Sequence, residues 1–410
     1  MKRLLIALIA FSLALTQPAS SRLHGGIASG TPSGLHLAAT RTNYSDSNDT
    51  NYTEANYQGI HYARATSCSW KLLNNNSYGT AENGPGGSAT VTESIGYPTS
   101  SPTWYQVKWS GSSSITIANN ATAPLSDAVS VCMNSGDAFW VRTYWNGPQL
   151  LFYTPQCATA GELAEAATSG LSDKTLGGTI SGSYTTGIYG PAAVVTTTSS
   201  PSVALIGDSI MRGYDDIYSD SNCYLGAAAR AVGPTLAYAN LAITGENAYN
   251  FVAGHTNRAL VVGYATSVIS DYGTNDLFNG QTLPQLITSL TTIQGYFTQW
   301  FWQTTLLPRT NSSDFWVSAT GQSAVFAPLG SSVRETFNSN LRTLSYSFET
   351  GGYFDWTHPL EGSSTNNVTA VNTGLWLWDG VYNYVTPEGV HPNSAANLLM
   401  VPYVPPASLH

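Results

Sequence analysis

Short apolar and aromatic runs broken by Gly, Pro, Ser and Asn fill the chain from about Ala89 to Thr154: ATVTESIGYP, TWYQVKWSG, SITIANN, AVSVCM, AFWVRTYWNG and LLFYT. In WYQVKW, Tyr105, Val107 and Trp109 fall on one face of an extended strand, with Trp104, Gln106 and Lys108 on the other. Such runs at regular spacing, separated by turn residues, predict an antiparallel β-sandwich. The pattern begins nearer Ile27 and takes in GIHYARATSCSW.

From about Ala158 to Ser200 the residues are mostly Ala, Gly, Ser and Thr, with one short helix predicted at GELAEAATSG, so this stretch reads as a connector. Beyond it the period changes. VALIG, LAYANLAI, TSVISDYG, WQTTLLP and YFDW read as strands, while LPQLITSLTTIQGYFTQW and SVRETFNSNLRTLSYSF carry apolar residues at helical spacing. Strands alternating with helices imply a parallel sheet covered on both faces. Ligand sites in such sheets gather at the carboxyl ends of the strands.

The first 21 residues, MKRLLIALIAFSLALTQPASS, pair a basic start with an apolar run and small residues, the form of a secretory signal peptide. The expected organisation is therefore a signal peptide over 1–21, a β-sandwich-like domain over 22–157, a linker over 158–200 and an α/β domain over 201–410. No later segment is apolar for the roughly 20 residues a membrane span needs. Cys68, Cys132, Cys157 and Cys223 contain no CxxC pair and follow an export signal, so disulfides are expected; all three pairings stay open. Sequons such as Asn48, Asn51 and Asn367 matter only in a host that glycosylates them.

Only 10% of the residues are charged, and the formal net charge is -9 with 15 Lys plus Arg, which leaves no basic track for phosphates and argues against nucleic acid as a partner. Tryptophans 70, 104, 109, 140 and 145 offer flat faces that suit sugar rings, but filling the sandwich core is the commoner use of such residues.

Four strand ends carry small or polar residues that core filling does not require. VALIGDSI runs from a buried strand into Gly207, Asp208 and Ser209 at the start of a helix, where negative charge is favoured; the plain alternative is a helix N-cap. LAITGEN places Gly245, with no side chain to keep a ligand from its backbone amide, after another strand. SDYGTNDL brings Asn275 to a third strand end, where its amide can aim at a developing oxyanion or simply make a turn. PEGVHPN holds Glu388 three residues before His391.

Taken in order, GDSI, the Gly245 turn, GTND and GVHPN resemble the blocks of the SGNH (GDSL-type) hydrolase superfamily over about Val203 to Met400. The resemblance implies a three-layer α/β/α domain in which Ser209 is the nucleophile and His391 the base. It also implies an oxyanion hole made by the Ser209 amide, Gly245 and Asn275. The family usually has Asp where this chain has Glu388, so the residue that orients His391 is open between Glu388, Asp379 and a backbone carbonyl. FDWTHP repeats the acid-x-x-His spacing at Asp355 and His358, but lies well before the chain end.

No GxSxG, HExxH, GxGxxG or Walker loop occurs, and no metal or organic cofactor is expected. The expected activity is that of an exported serine esterase acting on short acyl esters, with a polysaccharide or small-molecule ester as partner. An acyltransferase using the same site is one alternative. An inactive carbohydrate-binding surface protein is the other, with Glu388 as its supporting clue.

Overall fold

The computed structural model describes residues 34–80, 82–216, 222–325, 332–362 and 373–409. The expected signal peptide, the strand start near Ile27 and the Asn367 sequon lie outside them. Six strands, β1 (Thr42–Asn43), β2 (Ser202–Ile206), β3 (Ala237–Asn240), β4 (Ser267–Ser270), β5 (Trp300–Thr304) and β6 (Gly352–Phe354), form a parallel sheet in the order β1-β3-β2-β4-β5-β6. Its helices are α1 (Ser209–Arg212), α2 (Ala227–Val232), α3 (Ala248–Ala253), α4 (Thr256–Val262), α5 (Thr274–Phe278), α6 (Leu283–Gly295), α7 (Val333–Arg342) and α8 (Ser394–Met400).

The two faces of the sheet follow from alternation along each strand. Ala204 and Ile206 of β2 join the cluster of Phe251, Leu286, Leu290, Ile293 and Phe337 from α3, α6 and α7. Val203 and Leu205 join the opposite cluster with Ala228 and Val232 of α2 and Met400 of α8. In α6 the buried Leu286, Leu290 and Ile293 recur at i, i+4 and i+7, and the Gln285 side chain accepts the Thr282 backbone N–H at 2.8 Å to start the helix. Cutting Leu290 to Ala would cost about 2–5 kcal/mol, the usual penalty for a cavity in a packed core.

The N-terminal region is β-rich and antiparallel. One sheet pairs the strands Leu163–Ala167, Glu54–Tyr62, Ala138–Asn146, Ala89–Tyr97 and Thr103–Gln106 in that order, with Ser114–Ile117 also on Ala89–Tyr97. A second sheet holds Gly34–Leu37, Ala193–Thr198 and Lys71–Leu73. Leu72 and Val194 from the second sheet, with the neighbouring Trp70, share a core with Ile95, Phe139 and Val141 from the first, which is the sandwich arrangement. Val107 and Trp109 are buried and Lys108 exposed, as alternation requires.

Several expectations need correcting. GELAEAATSG is not helical: Gly161 closes a short turn at φ 85°, and Leu163–Ala167 is a strand on Glu54–Tyr62. Sheet pairing overrides helix propensity here, and Glu165 turns inward to accept the Asn56 amide at 3.0 Å.

Residues 158–200 as a whole are not a bare connector. Val194 faces the sandwich core, while Ala193 and Val195 pack in the cluster beneath the parallel sheet. That strand therefore belongs to both cores. The N-terminal region also lends β1 to the edge of the parallel sheet, where Thr42 and Asn43 pair with Ala239 and Asn240.

Disulfides join Cys68 to Cys132 within the β-rich region and Cys157 to Cys223 across the two regions. Such bonds fit an extracellular or periplasmic compartment. No helix among the described residues is long and apolar enough to cross a membrane.

Candidate active site

Strand β2 ends at Gly207, whose φ is +152° and where any Cβ would overlap Asp271 Oδ1, so only glycine lets the chain turn here. Asp208 then caps α1, its carboxylate accepting the Ile210 N–H at 2.8 Å. Ser209 is the first residue of that helix and is buried. The N-cap role thus falls to Asp208 and leaves the Ser209 hydroxyl free for another partner.

That partner is His391, whose Nε2 lies 2.7 Å from Ser209 Oγ. On the other side of the ring, Nδ1 is 2.8 Å from Glu388 Oε1, which also accepts the His391 backbone N–H at 2.5 Å. Burial alone would raise the Glu388 carboxyl, but the hydrogen bonds from His391 outweigh it and hold the group below the usual carboxylate range. An ionised carboxylate only accepts, so Nδ1 carries the proton and Nε2 accepts from the Ser209 hydroxyl. A ring held in that tautomer can take the hydroxyl proton. The last helix does not use His391 as its cap; Asn393 does that, accepting the Ala396 N–H at 3.1 Å.

The remaining site residues come to the same end of the sheet. Ile243 N–H donates to Gly207 O at 3.0 Å, tying the Gly245 turn to the Ser209 turn. Gly245 is exposed and faces open space. The backbone amides of Ser209 and Gly245 donate to nothing among the described residues. Asn275, at the start of α5, donates both amide hydrogens, to Asp208 Oδ2 at 3.1 Å and to Glu246 O at 3.2 Å. The turn beneath is braced by a buried network in which Arg258 grips Glu246 at 2.6 and 2.8 Å and Glu82 of the β-rich region adds a second ion pair at 3.2 Å.

Two alternatives stay apart. Asp379 is exposed and accepts the Val381 N–H at 3.0 Å in its own turn. Asp355 is held by Arg342, and His358 lies against the Tyr403 ring. Among the proposed stacking tryptophans, Trp70, Trp109 and Trp145 are core residues, and Arg142 covers the partly buried Trp104 at 4.1 Å.

Some neighbours carried no sequence signal. Tyr214 packs against the His391 ring with centroids 4.7 Å apart. Asp215, Glu388 and His391 bring one possible metal-ligand atom each to within 4.8 Å of one another, although both His391 nitrogens already have partners. Burial pushes Asp208 and Asp271 upward, and Asp276 up to about 6, so the floor under Ser209 is less negative than its carboxyl count implies.

Residues 203–404 match the family model of GDSL-like lipase/acylhydrolase. No match was found among curated proteins. Solved structures similar to this chain include a member of the lipolytic protein G-D-S-L family from Veillonella parvula, at 16% identity over 49% of this chain and 94% of that one, TM-score 0.33. A carbohydrate esterase family 3 protein from Talaromyces cellulolyticus matches at 14% identity over 50% of this chain and 95% of that one, TM-score 0.31. Salicylyl-acyltransferase SsfX3 from a tetracycline biosynthetic pathway matches at 14% identity over 87% of this chain and 81% of that one, TM-score 0.31. The segment from Val203 to Val404, with its GDSI turn, Asn275 block and His391 block in order, belongs to the GDSL-like lipase/acylhydrolase family.

Proposed function

We propose that this protein is an exported serine esterase that removes short acyl groups, acetyl first among them, from polysaccharide esters through an acyl-enzyme. The observation that carries the reading is the chain of hydrogen bonds from Ser209 through His391 to Glu388, at 2.7 and 2.8 Å. A serine hydroxyl is a weak nucleophile at neutral pH, and a base in hydrogen-bond reach removes that limit.

On this mechanism Ser209 Oγ attacks the ester carbonyl and His391 takes its proton. The amides of Ser209 and Gly245 meet the oxyanion. Asn275 joins them by exchanging its bond to Asp208 for one to the oxyanion, as the charge there grows during attack. His391 returns the proton to the leaving alcohol, and water then releases the acid by the same steps in reverse order.

The test is turnover of p-nitrophenyl acetate and release of acetate from acetylated polysaccharides by wild type and Ser209→Ala. Equal inactivity of both proteins on every ester, with glycan binding retained, would sink the esterase reading. Acetate transfer that requires a sugar acceptor would replace hydrolysis with acyl transfer.

A further inference from the structure

Arg309 stands apart from the other arginines among the described residues. Arg41, Arg212, Arg230, Arg258, Arg334 and Arg342 each pair with a carboxylate. The Arg309 guanidinium makes no ion pair or hydrogen bond among the described residues; its side-chain contact is the Phe278 ring, 3.3 Å below Cζ. Outside those residues the only carboxylates are Asp220 and the chain terminus.

Its place is fixed from two sides. Thr310 N–H donates to Gly389 O at 3.0 Å, binding this segment to the Glu388–His391 loop, and Val325 N–H donates to Arg309 O at 2.9 Å. Gly389 permits that approach, since a Cβ there would overlap Thr310 O. Phe278 ends the helix that Thr274 and Asn275 begin, and it is 48% exposed. Arg309 thus spans the gap between the Asn275 helix and the His391 loop. Burial lowers its pKa, against the pull of Glu388 and Asp208, so the cation is partly desolvated without a counter-ion of its own. A guanidinium in that position has its planar fork of donors unused.

The setting is otherwise negative. The chain carries a formal charge of -9, and Asp215 and Glu388 stand beside His391. An anionic substrate meets repulsion from these groups and attraction from Arg309, which gives the cation directional weight.

Building on the esterase reading, we infer that Arg309 is a specificity residue for esters that carry a carboxylate, which its guanidinium grips over Phe278 while the ester carbonyl sits at Ser209. The carboxylate can belong to the alcohol or to the acyl portion, and the experiment separates these.

Two matched pairs differ only as carboxylate against carboxamide. 4-Acetoxybenzoate and 4-acetoxybenzamide place the charge on the alcohol side; the mono-p-nitrophenyl ester of adipic acid and its terminal amide place it on the acyl side. Wild type should prefer the anionic member of one pair, and Arg309→Ala should raise KM for that member about 10- to 100-fold more than for its amide, with a smaller change in kcat, as expected for loss of a charged hydrogen-bonded pair. Arg309→Lys should recover part of the preference, because it keeps the charge and loses the fork. A wild type indifferent to the carboxylate in both pairs overturns the inference. So does an equal loss for both members of each pair. Calorimetric binding of the same esters to Ser209→Ala protein keeps the two readings distinct. Binding of a carboxylate member that disappears in Ser209→Ala/Arg309→Ala upholds the inference even if the wild type turns over nothing and the esterase reading falls. Turnover with no Arg309 dependence overturns the inference and leaves the esterase standing.

Discussion

Two segments of this chain share one spacing: Glu388 precedes His391 by three residues, Asp355 precedes His358 by three, and each histidine is followed by proline. The fold treats them in opposite ways. Asp355 follows β6 directly and receives Arg342 at 2.7 and 2.9 Å and Thr357 at 2.8 Å, so its oxygens are taken before His358 can use them. Glu388 sits in a loop, 43% exposed, with no arginine bonded to it among the described residues, and gives its oxygen to the His391 ring and backbone. An acid-x-x-His pattern therefore reports a pair only where nothing stronger competes for the acid.

The sharpest way to break this comparison is to remove each histidine. On the proposed mechanism His391→Ala should lower kcat/KM for p-nitrophenyl acetate about 10⁴-fold or more, while His358→Ala should change it by no more than about twofold. Initial rates on the purified variants decide it. Activity that survives the first change and is lost in the second would exchange the two segments' roles.

Asn275 tests whether arrival at the strand ends matters as much as the pair itself. Asn275→Ala should cost about 100- to 1,000-fold in kcat, the usual loss for one oxyanion donor, with little change in KM. A loss confined to KM would make Asn275 a ground-state contact, held to Asp208 and Glu246 as it is without substrate.

The carboxylates come next. Glu388→Gln should cost about 100-fold in kcat, less than the roughly 10⁴-fold that a buried triad acid can command, because solvent screens an acid this exposed. Asp355→Asn and Asp379→Asn should leave the rate near wild type. A larger loss in Asp379→Asn than in Glu388→Gln would return the orienting role to Asp379.

What could be read from the sequence follows the same logic of local against distant causes. GDSI, GTND and PEGVHPN were legible because each is set by a strand end, a cap and a tight turn within a few residues. The strands VALIG and TSVISDYG, and the helix around Leu286 and Leu290, were legible from period alone. The two-residue strand Thr42–Asn43 was not, since its place depends on β3, nearly 200 residues away. Leu163–Ala167 looked helical because Ala and Glu favour helices, and only the edge of the Glu54–Tyr62 strand makes it extended. Arg258 with Glu82, and Arg309 over Phe278, join elements that no short window of sequence contains.

The smallest effect sharpens the comparison on stability rather than rate. Burial alone would raise the Asp355 carboxyl, but Arg342, Thr357 and Thr305 outweigh it and hold it below its ordinary value. The native state then binds fewer protons than the unfolded chain as pH approaches the usual Asp value of about 3.9, so the pair's contribution is complete above that pH and is lost as pH falls through the native value. With its side chain only 15% exposed, Asp355→Ala should cost about 2 kcal/mol at pH 7, by urea unfolding, because the paired hydrogen bonds between Arg342 and Asp355 are lost. The gap from wild type should narrow near pH 3, while activity per folded molecule stays near wild type. Glu388→Ala should do the reverse: about 0.5 kcal/mol or less in stability, since screening discounts an exposed pair, with most of the activity gone. A gap for Asp355→Ala that is the same at both pH values would assign its effect to packing, and the two carboxylates would no longer differ in kind.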